Sequence, residues 1–390
     1  MSEVRDRPDI ALLVPSFRGG GAEGATVRLA NELARRGVGV DLLVLQSVGP
    51  WRDQLSPAVG QIDLKSRRAL LGLWPLARYL RRARPRVIMA GPYHVGVLSI
   101  LARGLIRCRT AVVVLEHNDL QAGRAYAHGL RQRLMPLTLR LTYPWADRVL
   151  AVSKGAAASL ARLAGMPPDR VGVLYNGVDA RAIQDAARLP VDHPWLTEAS
   201  IPVIMAAGRL APQKGYPDLL RAFALLTQSV TARLLVMGDG QQRQELQHLA
   251  ADLGLAGGVQ FLPHHPNPYA YMARASLFVL SSHFEGFGVV LLEALACGTP
   301  VVSTDCPSGP SEVLGGGRYG LLVPVGKPEA LAAAMLQVLT DPRLEQRLRQ
   351  AGPVRAAEFS IERAADRFLE VVSDFGVNPG HPSHPAVSHE

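Results

Sequence analysis

Glu285 and Glu293 stand eight residues apart around the turn Gly286-Phe287-Gly288, which follows the apolar run Ala275 to Leu280 and leads into the apolar stretch Val289 to Ala296. A strand that passes through a glycine bend into a helix exposes unpaired backbone N–H groups, the physical basis of an anion site at a helix N-terminus. Carboxylates beside such a site repel an anion; they suit hydroxyl groups instead. The combination points to a ligand that carries both a diphosphate and several hydroxyls, and a nucleotide sugar is such a ligand. Taken alone, the segment also fits an ordinary strand-to-helix corner with Glu293 on a solvated face.

Other residues carry similar chemistry at the ends of apolar runs. Gly19-Gly20-Gly21 precedes the first helical stretch and lets backbone approach a phosphate closely, although a glycine turn is also a common tight turn. His117, in Leu-Glu-His-Asn-Asp, follows a run that ends at Leu115, and a satisfied structural histidine accounts for it equally well. Arg209 and Lys214, in Gly-Arg-Leu-Ala-Pro-Gln-Lys-Gly, follow another run and precede a helical one. Two cations there stabilise a departing diphosphate; without a ligand they read as surface charges.

The elements that must position these groups form two series. In the first, strands are expected at Ile10 to Pro15, Val38 to Gln46, Arg86 to Ala90, Thr110 to Leu115, Arg148 to Val152 and Val171 to Tyr175, with a helix from Ala22 to Arg36. Alternation of apolar strands with helical stretches predicts a parallel sheet covered on both faces. A second series follows, with strands at Pro202 to Ala207, Ala232 to Met237, Val259 to Leu262, Leu277 to Leu280 and Pro300 to Ser303, and helices at Gly215 to Gln228, Gln241 to Asp252 and Val289 to Ala296. The expected fold is α/β, two Rossmann-like doubly wound domains facing an interdomain cleft at the carboxyl ends of both sheets. The expected boundaries are an N-terminal domain at 1–184, a linker rich in Pro and polar residues at 185–200, a C-terminal domain at 201–355, a helix at 356–373 packing back on the first domain, and a disordered tail at 374–390.

The 390 residues, 48% apolar and 19% charged, are enough for two cores. Cys108, Cys297 and Cys306 follow no metal-binding spacing and read as reduced cytoplasmic thiols. The N-terminus lacks a signal-peptide pattern, and no apolar run reaches transmembrane length. Charge is uneven: residues 1–190 carry 28 Lys and Arg against 14 Asp and Glu, a net +14, and residues 191–390 carry 14 against 19, a net −5. Lys65 to Arg86 holds eight basic and no acidic residues, interleaved with leucines, Trp74 and Tyr79. It reads as a basic amphipathic helix, broken at Pro75, resting either on an anionic membrane surface or on the core. No helix-turn-helix, zinc or RNA-binding motif accompanies the charge, so nucleic acid is not expected.

Together the motifs resemble the retaining glycosyltransferases of family 4, which have the GT-B fold. The matching segments are Gly-Gly-Gly-Ala-Glu at 19–23, Glu-His-Asn at 116–118, Ala-Val-Ser-Lys-Gly at 151–155, Tyr-Asn-Gly-Val-Asp at 175–179, Gly-Arg-Leu-Ala-Pro-Gln-Lys-Gly at 208–215, Gly-Asp-Gly at 238–240 and the stretch from Glu285 to Val302. They run in family order over nearly the whole chain. Asp305 to Glu312 and Asn267 to Tyr271 look most like the branch that builds bacterial glycans on lipid carriers.

The resemblance implies roles residue by residue. Arg209 and Lys214 match the diphosphate binders, Glu285 the carboxylate on donor-sugar hydroxyls, and Glu293 the one on the ribose. Phe287, Gly288 and Val289 match the turn whose N–H groups meet diphosphate and sugar. Gly20 and Gly21 match a loop that closes on donor and acceptor, His117 a histidine near the donor sugar, and Leu262 to Pro266 the loop that holds the base. One departure is Gly24, where relatives often carry a basic residue; glycine weakens a first helical turn and puts an acceptor contact there in doubt.

The implied activity is transfer of a hexosyl or N-acetylhexosaminyl group from a nucleotide sugar, expected to be a UDP-sugar, to a glycan or polyprenyl-diphosphate-linked acceptor. No cofactor is expected, and no Asp-x-Asp pair indicates a divalent metal. The expected location is the cytoplasm, peripheral on the inner face of the cell membrane through Lys65 to Arg86. The alternatives are a catalytically silent nucleotide-sugar-binding membrane scaffold and a nucleotide-sugar epimerase of the same architecture.

Overall fold

A computed structural model describes residues 8–18, 20–126, 129–197 and 200–377. The chain divides into two compact units, one of Met1–Gly177 with Ile361–Glu390 and one of Val178–Ser360.

Among the described residues the first unit is built on seven strands: β1 (Ile10–Ser16), β2 (Val40–Gln46), β3 (Gly60–Asp63), β4 (Val87–Ala90), β5 (Ala111–Glu116), β6 (Arg148–Ala151) and β7 (Val171–Val173). They form one parallel sheet in the order β3-β2-β1-β4-β5-β6-β7. β1, β4 and β5 are apolar runs up to their last residues and β2 is one interrupted by the buried Asp41; all four are buried along almost all of their length, as strands covered on both faces must be. The chain reverses direction across the sheet between β1 and β4, and ligands of doubly wound sheets bind at the carboxyl ends of strands at such a reversal. A helix at the chain's end, Ile361–Val372, buries Ile361, Ala365, Phe368, Leu369 and Val372 and packs against the helix Gly21–Arg35.

The second unit repeats the plan with six strands, β8 (Val203–Ala207), β9 (Arg233–Met237), β10 (Val259–Leu262), β11 (Leu277–Leu280), β12 (Val301–Thr304) and β13 (Leu321–Val323). Their order is β10-β9-β8-β11-β12-β13, all parallel, so the reversal falls between β8 and β11. Helices Tyr216–Leu226 and Pro328–Thr340 pack together over one face, their apolar sides in a core with Ile204, Leu234 and Val279.

The boundaries differ from those expected. The second unit starts at Val178, because the stretch expected to link the domains is packed rather than free. Asp179 caps the helix Ala180–Ala187, whose last carbonyls accept hydrogen bonds from the Asn267 and Arg274 side chains at 2.8 and 3.2 Å. Val191 and His193 are buried as well. The helix expected from 356 begins at Ile361; a separate helix, Pro342–Glu358, ends before it, and Val178 N donates to the Phe359 carbonyl between them. Of the expected tail, 374–377 is folded, with Asp374 paired to Arg148 at 2.7 Å and Val377 buried. The remainder, 378–390, lies outside the described residues.

Lys65 to Arg86 is not one helix. Lys65 has a φ of 52°, a short 3-10 turn covers Ala69–Gly72, and the α-helix runs only from Leu73 to Ala83. Pro75 sits in that helix's first turn, where a missing N–H costs nothing, and does not break it. Leu76, Tyr79 and Leu80 belong to the core, while Leu70, Leu71 and Trp74 are exposed.

Candidate functional site

The loop after β8 carries Arg209 and Lys214, and the loop after β11 carries Glu285. Four hydrogen bonds stitch the two loops across the reversal point. His283 N donates to the Gln213 carbonyl at 2.8 Å, the Gln213 amide to the Phe284 carbonyl at 3.0 Å, the Ser281 hydroxyl to the Lys214 carbonyl at 2.8 Å, and Lys214 Nζ to Glu285 Oε1 at 2.6 Å. The last is an ion pair with little solvent access, the side chains being 17% and 8% exposed. Ser282 Oγ donates to the same Glu285 oxygen at 2.6 Å, and Thr304 Oγ1, at the end of β12, donates to the Ser282 carbonyl at 2.6 Å. Glu285 is therefore held by a cation and a hydroxyl on one oxygen. Sequence motifs had separated Lys214 and Glu285 into a phosphate role and a sugar role; the fold makes them a contact pair.

Phe287, Gly288 and Val289 follow directly. Gly288 has a φ of 85°, a left-handed conformation that favours glycine, and it starts the helix Val289–Ala296, whose first N–H groups are those the sequence singled out. Phe287 is buried and packs edge-on against Phe359, with ring centroids 5.4 Å apart. Gly309 closes the turn from the other side: a Cβ there would lie 2.3 Å from the Phe287 carbonyl oxygen, and its φ is 95°. Glu293 is half-buried on the same helix, and its charge adds to the burial that pushes the Cys297 thiol up to about 12. Arg209 is exposed and makes no ion pair with the described residues, while its neighbour Leu210 is tied by N–H to the Asp239 carbonyl at 2.9 Å.

In the first unit, Gly20 and Gly21 begin the helix Gly21–Arg35 after β1; Gly20 is its extended N-cap and both are exposed. Gly19 lies outside the described residues. Gly24 is buried against Trp51, and a Cβ at position 24 would lie 2.4 Å from that ring. A basic side chain there would collide with Trp51, so the departure at this position has a packing cause.

His117 follows β5 and is buried. Its Nδ1 has no hydrogen-bond partner among the described residues, and the ring lines a cavity of about 10 Å³ with Thr26, Met89 and Asn176, room for one water. Burial pushes its pKa down to about 4, so the imidazole is neutral near pH 7. Its neighbour Glu116 is fully buried and accepts N–H bonds from Tyr93, His117 and Asn118 at 2.9, 3.0 and 3.3 Å. Burial pushes this carboxyl up to about 7, and the three donors pull the other way. Sequence reasoning quoted Glu116, Gln213 and Gly309 only within motifs and missed Ser282. Ser282, three residues before Glu285, had no signal of its own, because its role depends on a strand end curling back.

Two doubly wound parallel sheets are the architecture of the GT-B class of glycosyltransferases. HepE of Anabaena, in a crystal structure with UDP-glucose, shares the fold with a TM-score of 0.79 at 22% identity over 94% of this chain and 99% of that one. The family model for glycosyltransferase family 4 matches residues 19–182, and that for glycosyl transferases group 1 matches residues 196–355. The lipopolysaccharide core biosynthesis glycosyltransferase LpsE of Rhizobium meliloti is 31% identical over 360 residues, covering 91% of this chain and 96% of that one. The N-acetylgalactosamine-N,N'-diacetylbacillosaminyl-diphospho-undecaprenol 4-alpha-N-acetylgalactosaminyltransferase of Campylobacter jejuni is 34% identical over 234 residues, 59% of this chain and 62% of that one. The chain belongs to glycosyltransferase family 4.

Proposed function

We propose that this glycosyltransferase is a retaining enzyme that moves a hexosyl or N-acetylhexosaminyl group from a UDP-sugar to a hydroxyl of a glycan or lipid-linked acceptor. The observation that carries the reading is the buried Lys214–Glu285 pair, 2.6 Å apart at the β8/β11 reversal beside the N-terminus of Val289–Ala296. A bound diphosphate competes with Glu285 for the Lys214 ammonium and leaves the carboxylate to sugar hydroxyls. As the bond from anomeric carbon to phosphate oxygen breaks, negative charge grows on the diphosphate; Arg209, Lys214 and the N–H groups of Gly288 and Val289 stabilise it. The departing phosphate oxygen takes the acceptor's proton. Glu293 holds the ribose, and Gly20, Gly21 and His117 serve sugar and acceptor. No divalent metal is needed, since cations from the chain fill that role. The lipopolysaccharide core biosynthesis in the name of LpsE, the diphospho-undecaprenol-linked acceptor in that of the Campylobacter enzyme, and the UDP-glucose of HepE support the substrate classes.

Release of UDP from UDP-sugars in the presence of a chelator tests this. Arg209→Ala should lower turnover by about two to three orders of magnitude with an unchanged melting point, because the side chain is exposed and unpaired among the described residues. Lys214→Ala should lose as much turnover and also destabilise the fold, since it strands a buried carboxylate. Turnover that vanishes with chelator and returns with magnesium contradicts the metal-free reading. Tight UDP binding with no release from any UDP-sugar would make the chain a silent binder.

The proposal extends to location. Leu70, Leu71 and Trp74 are 80%, 64% and 70% exposed beside Lys65, Arg67, Arg68 and Arg78, a combination that suits an anionic membrane surface on the cytoplasmic side. Sedimentation with phosphatidylglycerol vesicles at low salt should capture the wild type and lose a Leu71→Asp/Trp74→Asp variant; equal sedimentation of the two removes this part.

A further inference from the structure

At the opposite end of the first sheet from His117, where β4 and β5 begin, a cavity of about 650 Å³ is lined by Arg81, Arg84, Arg86, Arg107 and Arg109. Apolar groups, Phe375 among them, complete its wall. We propose that this cavity is a binding site for a phosphate-bearing ligand, separate from the donor site on the second unit.

The charge balance of the cavity supports this reading. Of the five guanidinium groups, only Arg86 has a carboxylate partner among the described residues, Asp9 at 3.2 Å. Arg84 Nε donates to the Arg81 carbonyl at 3.3 Å, which leaves its charge uncompensated. Five like charges around one concavity repel one another, and an anion bound among them relieves that repulsion; planar guanidinium forks match phosphate oxygens two at a time. The volume is that of a small-ligand site, and the apolar wall suits whatever carries the phosphate.

Backbone conformation adds a second observation. Arg84 and Arg107 end the helices Leu73–Ala83 and Tyr93–Ile106 with φ of 47° and 48°, the left-handed conformation in which glycine is the unstrained choice. Two helices thus turn onto the cavity through strained arginines. Cations do favour helix C-termini, which accounts for one arginine on each helix. It does not account for Arg86 and Arg109, which lead into strands, or for the convergence of all five on one cavity.

The same geometry supplies a clean variant. Arg84→Gly/Arg107→Gly removes two cations while giving both turns their preferred residue, so its fold should be kept or strengthened. Cys108, a free thiol in the lining, is the local reporter, its alkylation rate read by peptide mass spectrometry on the full chain. Inorganic pyrophosphate should slow alkylation of Cys108 in the wild type by about tenfold or more and leave the variant unaffected. Phosphatidylcholine vesicles doped with phosphatidic acid form the second arm. Protection by free pyrophosphate assigns a soluble phosphorylated ligand, and protection by the vesicles alone assigns a lipid headgroup. An Arg162→Gln/Arg170→Gln control, exposed on the first unit and outside the cavity, should behave as wild type. Absence of protection by either probe, or protection that persists in the glycine variant, overturns the proposal. Because the reporter sits in the first unit, the result stands apart from whether UDP binds beside Lys214.

Discussion

Glu116 and His117 are adjacent, both buried, and shifted in opposite senses, one up to about 7 and the other down to about 4. Linkage turns this into a stability prediction. Between about pH 4.5 and 7 the unfolded chain releases the Glu116 proton that the fold retains, so this group makes stability fall as pH rises and is level above 7. Between about pH 4 and 6.5 the unfolded chain holds a His117 proton that the fold rejects, so this group makes stability rise with pH. The two slopes oppose one another across roughly pH 4.5 to 6.5, and the pair should contribute little net slope there. Glu116→Gln removes one slope only. Its melting point should climb from pH 4.5 to 6.5 more steeply than that of the wild type, and it should start lower at every pH, because an amide nitrogen faces N–H donors that an oxygen had satisfied, a loss of about 1–3 kcal/mol. Parallel melting curves against pH for the two proteins would mean that Glu116 ionises in the fold as it does in water.

At the scale of elements, the donor-side corner rests on loops that the sequence made only partly visible. The strand β11, the helix Val289–Ala296 and the glycine between them were legible because apolar runs and a glycine turn are local signals. Arg209, Lys214, Glu285 and Glu293 were legible as residue types at strand ends, whereas the direct bond between Lys214 and Glu285 was not, since it joins loops 71 positions apart. The edge strands β3 and β13 went unseen: Gly60–Asp63 and Leu321–Val323 are too short to show a period. The single helix expected over Lys65 to Arg86 is instead a 3-10 turn at Ala69–Gly72 and a helix at Leu73–Ala83, because an apolar stripe does not show where a helix starts. Gly309 gives this scale its test. With a Cβ 2.3 Å from the Phe287 carbonyl and φ at 95°, Gly309→Ala forces the Phe287–Gly288 turn to move. Turnover should fall by about tenfold or more and the melting point should drop, as expected for overpacking of about 1–3 kcal/mol. Wild-type kinetics in this variant would show that the turn tolerates displacement and has no fixed role.

The whole molecule is a second unit inserted into a first, since the chain leaves the first unit at Gly177 and returns to it at Ile361. The first unit is thus completed by Ile361–Val372, which lies within the stretch where a helix packing back on the first domain was expected. Its apolar side buries Ile361, Ala365, Phe368, Leu369 and Val372, and Arg36 adds hydrogen bonds to Asp366 and to the Glu362 carbonyl, the latter at 2.8 Å. Four of these side chains are large, and each contributes about 1.5–3 kcal/mol when buried. Their sum is comparable with the whole stability of a typical domain, about 5–15 kcal/mol. A chain ending at Ser360 should therefore lose the first unit and keep the second, whose strands and helices all lie between Val178 and Ser360. Hydrogen exchange should show β1, β4 and β5 unprotected while β8, β9 and β11 keep their protection, and UDP should still raise the melting point of what remains by mass action. If protection is lost from both sheets together, the units fold as one cooperative body and the terminal helix supports more than the sheet it covers.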